Sequence, residues 1–335
     1  TSLTVEGVDT VIDTGYARVN SFDSAKGIDS LNLEPISVFS SEQRSGRSGR
    51  LAPGIAYRLW SADEHARRPM AMEPEIKRID LAEVILALLD LNFDVSAFDW
   101  FEKPQEHAVE AAFEQLELLG AVFNGKLTAI GSQMARFPAH PRLARLLLQA
   151  EKLGCYDEAC RWAALVSEKS PVDNKSRLTD NEDPPSDLNA LCILWDKFNK
   201  APDKNELCRR HKLNMGGMRN LQQVYRQFLG LFPGNDYGRT HKYSLLKCLL
   251  AAFPDRLASR LDRGTLRYRL AGGRVGELTR SSAARDCEYI IPLSVAEINN
   301  RGSSRLLLSL AVEIPDDLLE LVLGEFILSK KTLQW

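Results

Sequence analysis

The apolar residues of this chain change their spacing twice, and that change limits the folds open to it. Up to about residue 60 they alternate as in strands; from residue 75 to about 250 they recur every three to four residues; from about residue 264 they alternate again. A single uniform architecture is excluded. The order reads as a strand-rich start, a long helical middle and a strand-rich end, and 335 residues suffice for two or three domains with a sizeable core.

In "VDTVIDTG" the β-branched run of Val8, Val11 and Ile12 ends at Gly15, which suits a buried strand of a parallel sheet. The residues on both sides of "SAKG" alternate as in a hairpin, and "GIAYRLWS" is a further strand with Ile55, Tyr57 and Leu59 on one face. Residues 1–62 therefore read as the closing part of an α/β domain. The chain opens without Met at the threshold of a strand, so a fragment is expected.

Leu81, Val84, Ile85, Leu88 and Leu89 form one amphipathic stripe, and Val109, Ala112, Phe113, Leu116 and Leu119 a second, with Gly120 as its stop. An Asn-Gly turn follows in "VFNGKL". Helices followed by a small hairpin fit a winged helix over residues 63–137, or else a generic helical domain with a surface loop. Residues 138–250 read as a helical bundle, with "HPRLARLLLQAEKLG" and "YDEACRWAALVSE" as an antiparallel pair. "SPVDNKSRLTDNEDPPSD" is too polar and proline-rich to pack, and is expected to be an exposed loop. In residues 251–335 "GTLRYRLAGGRVGEL", "CEYIIPLSVAEI" and "SSRLLLSLAVEI" are three strand segments that suit a small barrel or sandwich.

A net charge of −2 argues against a generally basic coat but allows local basic patches. The six cysteines show no C-x-x-C pair and no zinc-ligand spacing with the five histidines, so they are expected to be reduced packing residues of a cytoplasmic protein. No apolar run reaches membrane-spanning length. His140, between two prolines, suits a helix entry, and Trp60, Trp100, Trp162, Trp195 and Trp335 suit inter-helix and inter-domain filling.

The stretch "SSEQRSGRSGR" spaces Arg44, Arg47 and Arg50 by three, with only Ser and Gly between them. Guanidinium groups match phosphate oxygens, and a glycine such as Gly46 or Gly49 just before a helix would free backbone N–H groups for the same anion. A phosphate clamp is one reading and a solvated basic loop is the other. A second basic segment holds Arg256, Arg260, Arg263, Arg267, Arg269, Arg274, Arg280 and Arg285, a track for nucleic-acid phosphates with Tyr268 available for stacking, or only a solvated face.

"QRSGRSGR" resembles the QRxGRxGR motif of the helicase superfamily that includes the DEAH-box proteins, and "TSLTVEGVDTVIDTGYARV" resembles the motif that precedes it there. "AFEQLELLGAV", "LTAIGSQMARFPAHPRLARLLLQA" and "LLAAFPDRLASRL" are similar to the later segments of that family, and their order points to its bacterial HrpB branch. The resemblance implies a multidomain α/β plus α fold: the C-terminal part of a RecA-like domain with a β-hairpin, a winged helix, a helical ratchet bundle and a small β-rich, OB-like domain. It implies ATP-dependent RNA helicase activity, 3′ to 5′, with single-stranded RNA or a tailed duplex as partner, in a monomer without membrane contact.

The resemblance also assigns roles. Arg47 and Arg50 fall on arginine-finger positions, and Gln43 on a position near the γ-phosphate and attacking water. Ser2 falls where nucleotide state is sensed, with Glu6 standing where the family often has Asp, and Thr1 where the RNA backbone is held. Ser45 and Ser48 replace the more usual alanines. ATP and Mg²⁺ would be bound mainly by a preceding domain, because this sequence holds no G-x-x-x-x-G-K-[ST] loop and no DEAH tetrapeptide, and the chain alone is expected not to hydrolyse ATP. A non-catalytic nucleic-acid scaffold of the same architecture is the alternative.

Overall fold

A computed structural model describes residues 7–23, 28–50, 52–168, 170–172, 186–231, 243–300 and 303–322. The chain divides into two compact units, Thr1–Leu81 with Asp99–Ala111, and Ala82–Phe98 with Ala112–Trp335.

The first unit runs β1 (Thr10–Asp13), β2 (Tyr16–Asp23), β3 (Ile28–Pro35), α1 (Val38–Ser45), β4 (Ile55–Arg58) and α2 (Ala62–Ala66). β1 and β4 pair in parallel, Thr10 opposite Ile55 and Asp13 opposite Arg58, as the β-branched runs suggest. The expected burial does not follow. Ile12 is 68% exposed and Tyr57 54%, because among the described residues this sheet has only two strands and its apolar face stays open. β2 and β3 form the expected antiparallel hairpin, Tyr16 opposite Pro35, while its "SAKG" turn lies outside the described residues. Helix starts follow local chemistry: Ser37 accepts from Ser40 N at α1, and Ser61 and Glu64 form a capping box at α2.

The chain continues through α3 (Ala82–Asp90), α4 (Glu106–Leu118), β5 (Val122–Phe123), β6 (Lys126–Leu127) and α5 (Ala129–Met134). Leu81, Ile85, Leu88, Ala112, Leu116 and Leu119 are buried, whereas Val84, Leu89, Val109 and Phe113 of the two expected stripes are half-buried. Gly120 takes the left-handed conformation that ends α4. β5 and β6 are joined through Asn124 and Gly125, both at positive φ, which is the turn that Asn-Gly favours.

The helical middle comprises α6 (Pro141–Lys152), α7 (Tyr156–Ser167), α8 (Asp187–Lys200), α9 (Lys204–His211), α10 (Met215–Leu229) and α11 (Ser244–Ala252). α6 packs on α7 and α11, and α7 on α10. His140 caps α6, its Nδ1 accepting from Arg142 N, and Trp162 and Trp195 are buried among the helices. Most of the polar stretch 170–187 lies outside the described residues.

The last part is a barrel-like sheet of β7 (Ala258–Arg260), β8 (Arg267–Leu270), β9 (Val275–Leu278), β10 (Tyr289–Asn300) and β11 (Ser303–Glu313). Its order is β11-β9-β8-β7-β10, and β10 pairs again with β11, so the five strands close on themselves. β9 and β11 run parallel and the other pairs antiparallel. Five strands thus stand where the sequence suggested three. "GTLRYRLAGGRVGEL" folds back into two, and three-residue β7 is too short to show alternation.

Two polar clips tie the helices down, one of them to this sheet and the other to the end of α11 and the turn behind it. Asp187, at the start of α8, accepts from Ser282 Oγ at 3.0 and 2.9 Å, from Ala283 N at 2.7 Å and from Ala311 N at 2.7 Å. Arg142 of α6 meets Asp255 through two bonds of 2.6 and 2.9 Å and donates to Ala252 O at 3.1 Å.

Burial opposes the charge of Asp255, but the Arg142 guanidinium outweighs it and holds the carboxyl below its ordinary value. A carboxyl lowered in the folded state stabilises fully above its unfolded value, about 3.9, and loses that contribution as pH falls through the folded value. Asp255→Asn is therefore expected to be least stable relative to wild type at neutral pH, the gap closing as pH falls below the ordinary carboxylate value. Urea unfolding across that range checks it, and a gap independent of pH would contradict the assignment.

Candidate functional site

The arginine stretch begins inside α1 and ends in the turn behind it. Gln43 and Arg44 occupy its last turn, Gly46 is its C-cap, and Arg47 and Arg50 belong to the following turns. This corrects one sequence expectation: Gly46 and Gly49 follow a helix C-terminus, where carbonyls and a negative dipole end prevail, and cannot offer helix N–H groups to an anion. Any anion recognition here must come from the guanidinium groups.

The three arginines divide by role. Arg44 Nη1 reaches back 31 residues to Asp13 Oδ1 at 2.9 Å and to Tyr16 O at 3.3 Å, which spends its charge on the end of β1. Asp13 is 5% exposed, and its Oδ1 also accepts from Gly15 N at 2.9 Å. The same aspartate thus closes the Asp-x-Gly turn and anchors α1. Arg68 completes the frame: Nη1 donates to Gly15 O at 2.8 Å and Ile36 O at 3.0 Å, and its guanidinium lies 4.3 Å from the Trp60 ring centre. Gly15, at φ +78°, has no room for a side chain, since a Cβ would lie 2.5 Å from Arg68 Nη2 and 2.7 Å from Trp60 Cε3.

Arg47 is half-buried, while Gln43 and Arg50 are exposed. The turn between the two arginines is fixed by buried Ser48, whose Oγ donates to Ser45 O at 2.8 Å; Ser45 Oγ in turn donates to Ser41 O at 2.8 Å. The serines that replace the more usual alanines are therefore satisfied locally. Gly54 lies directly against this turn. A Cβ there would stand 2.1 Å from Ser48 O and 2.6 Å from Asp9 O, both backbone atoms that cannot swing away. Gly54→Ala is expected to push the Arg47–Arg50 turn off β1 without altering any charge. Its measurable sign is a lowered thermal midpoint of the first unit; an unchanged midpoint would show that the turn has slack.

The second arginine segment also divides. Tyr268 is fully buried, and its hydroxyl donates to Cys287 O at 2.7 Å, which excludes the stacking role suggested by sequence. Arg260 donates to the Tyr268 hydroxyl at 3.0 and 3.2 Å and to Arg285 O, and Arg256 donates to Leu293 O. These two RNA-contact candidates are committed to holding the barrel. Arg263, Arg267 and Arg269 are exposed; the last two lie on the outer face of β8, alternating with inward Tyr268 and Leu270. Arg267 faces Glu277 across the strands, and its ion pair with Asp262, at 3.9 Å, is a loose surface contact.

Thr1, Ser2 and Glu6 lie outside the described residues. Among the described residues no cluster of three His, Cys, Asp or Glu side chains could hold a metal ion, and no helix is long and apolar enough to cross a membrane. The site thus consists of α1 tied to the end of β1 by Arg44 and Asp13, and a following turn that carries Arg47 and Arg50, fixed by Ser48 and packed against Gly54.

Residues 112–139 match the winged-helix Helicase associated domain, HA2. The chain is 37% identical over 248 residues to the ATP-dependent RNA helicase HrpA of Escherichia coli, covering 68% of this chain and 19% of that protein. It is 31% identical over 277 residues to the pre-mRNA-splicing factor ATP-dependent RNA helicase prp22 of Schizosaccharomyces pombe, covering 78% of this chain and 24% of that protein. The crystal structure of the E. coli DExH-box NTPase HrpB superposes with a TM-score of 0.69 at 28% identity, over 96% of this chain and 35% of that one. The chain thus spans a minor share of the length of each of these relatives.

Proposed function

We propose, from the homology of this chain to HrpA/HrpB-like DEAH-box RNA helicases, that it is the C-terminal portion of an ATP-dependent RNA helicase. The observation that carries the reading is the QRSGRSGR motif, which the structure places on the last turn of α1 and the turn held behind it, in a chain 37% identical to an ATP-dependent RNA helicase. In this reading ATP and Mg²⁺ are bound mainly by a preceding RecA-like domain. Arg47 and Arg50 neutralise charge on the γ-phosphoryl group as it leaves, and Gln43 orients the attacking water. Ser2 and Glu6 sense nucleotide state and Thr1 holds the RNA backbone.

Residues 1–62 form the end of the second RecA-like domain, 63–137 a winged helix, 138–250 the ratchet and 251–335 an OB-like domain. The closed five-strand order with one parallel pair supports the last assignment. Arg263, Arg267 and Arg269 supply phosphate contacts on the outside of that barrel. The protein acts in the cytoplasm as a monomer, and the chain alone does not turn over ATP.

Domain closure on ATP and opening after hydrolysis would move the RNA 3′ to 5′. The test is unwinding by the intact protein of duplexes with either a 3′ or a 5′ single-stranded tail. Unwinding of the 3′-tailed duplex alone is expected. Unwinding only from a 5′ tail would overturn the direction, and RNA binding with neither unwinding nor turnover would favour the scaffold.

A further inference from the structure

Two of the cysteines lie against each other in the helical core. Cys155 stands immediately before α7 and Cys248 lies in α11, 93 residues apart in sequence, with both thiols fully buried and their Sγ atoms 3.7 Å apart. Cys248 Sγ is also 3.1 Å from Ser244 O, which can take its hydrogen. A disulfide needs an S–S separation near 2.05 Å, so an approach of about 1.7 Å closes the bond.

We propose that Cys155 and Cys248 are a disulfide-forming pair, a redox modification site through which a peroxide links the start of α7 to α11. The Cys155 thiolate attacks one peroxide oxygen, the O–O bond breaks, and hydroxide leaves with the proton that Cys155 gave up, as water. Cys248 sulfur then attacks the resulting sulfenic acid; the S–O bond breaks and hydroxide leaves with the Cys248 proton as a second water. The two sulfurs lose two electrons in total and hydrogen peroxide gains two. A thiol-disulfide reductant reverses the bond.

The surroundings select this pair. The hydrogen bond from Cys248 holds the Cys155 thiol below its ordinary range, against the opposing effects of burial and Glu158. The same bond and burial push Cys248 up, with Arg145 opposing. Burial instead pushes Cys160, Cys192 and Cys287 up to about 12 and raises Cys208. Nucleophilic attack belongs to the thiolate, so Cys155 is favoured among the six. Hydrogen peroxide is small enough to arrive through local opening.

The test treats the full chain with hydrogen peroxide at neutral pH, alkylates remaining thiols as it is unfolded, and maps peptides without reduction. A peptide pair joining Cys155 to Cys248 should exceed every other pairing, two thiols per chain should be lost, and dithiothreitol should restore both. In Cys248→Ser no resolving thiol remains, so dimedone should label Cys155. Both thiols recovered as alkylated peptides from peroxide-treated chain with unchanged circular dichroism would overturn the proposal, and so would oxidation spread evenly over the other cysteines.

Discussion

On the proposed function, Arg47→Ala is expected to lower the RNA-stimulated ATP turnover of the intact protein by about 10³-fold or more, while nucleotide binding stays within a few-fold of wild type. The size follows from the finger role proposed for Arg47: a finger meets charge that develops in the transition state and adds little to ground-state binding. Arg47→Lys should recover only a small part, because a point charge lacks the planar fork. Arg44→Ala provides the contrast within one motif. It leaves Asp13, 5% exposed, without its cation, and should first appear as weakened folding of the first unit. If Arg47→Ala unfolds that unit as readily as Arg44→Ala, the division of roles between the arginines is wrong. Stopped-flow turnover and thermal unfolding on the same preparations separate the two effects.

Asp187→Ala should destabilise the second unit by about 3 to 5 kcal/mol, since it strands the N–H groups of Ala283 and Ala311 and the hydroxyl of Ser282 at about 1–3 kcal/mol each when no water replaces the carboxylate. The thermal midpoint would fall by roughly 10 °C. Asp187→Asn keeps the size but turns an NH₂ group toward one of the backbone donors, so it should recover only part of the loss. Urea unfolding of the three proteins decides the matter: if both substitutions cost under about 1 kcal/mol, the carboxylate is not holding α8 to the sheet.

Much of the helical structure was legible because burial on one face forces an apolar period close to 3.6, as Leu81, Ile85 and Leu88 illustrate. Asn124-Gly125 was legible because few residues tolerate two successive positive φ angles. β7 was not, since three residues carry no period. Burial of β1 was overestimated because a β-branched run reports what a strand suits, not how many strands stand beside it among the described residues. Tyr268 could have been placed correctly: "RYRL" alternates, so a tyrosine between two arginines faces inward if they face out.

The candidate site was legible in kind and not in detail. Even spacing cannot tell that Arg44 turns to Asp13 while Arg47 and Arg50 follow the turn, because the partner lies 31 residues upstream. The partners of Asp187, 95 to 124 residues away, are hidden for the same reason. Sequence spacing reports neighbours along an element; a polar residue's tertiary partner leaves no period to read.

The measurement that tests the central claim most directly is ATP turnover by the intact wild-type protein, titrated with single-stranded RNA at fixed ionic strength. On the proposed function turnover rises with RNA and saturates, strand binding and closure of the finger-bearing domain on ATP being one event in that reading. Turnover that is absent, or indifferent to RNA while RNA is bound, would contradict it.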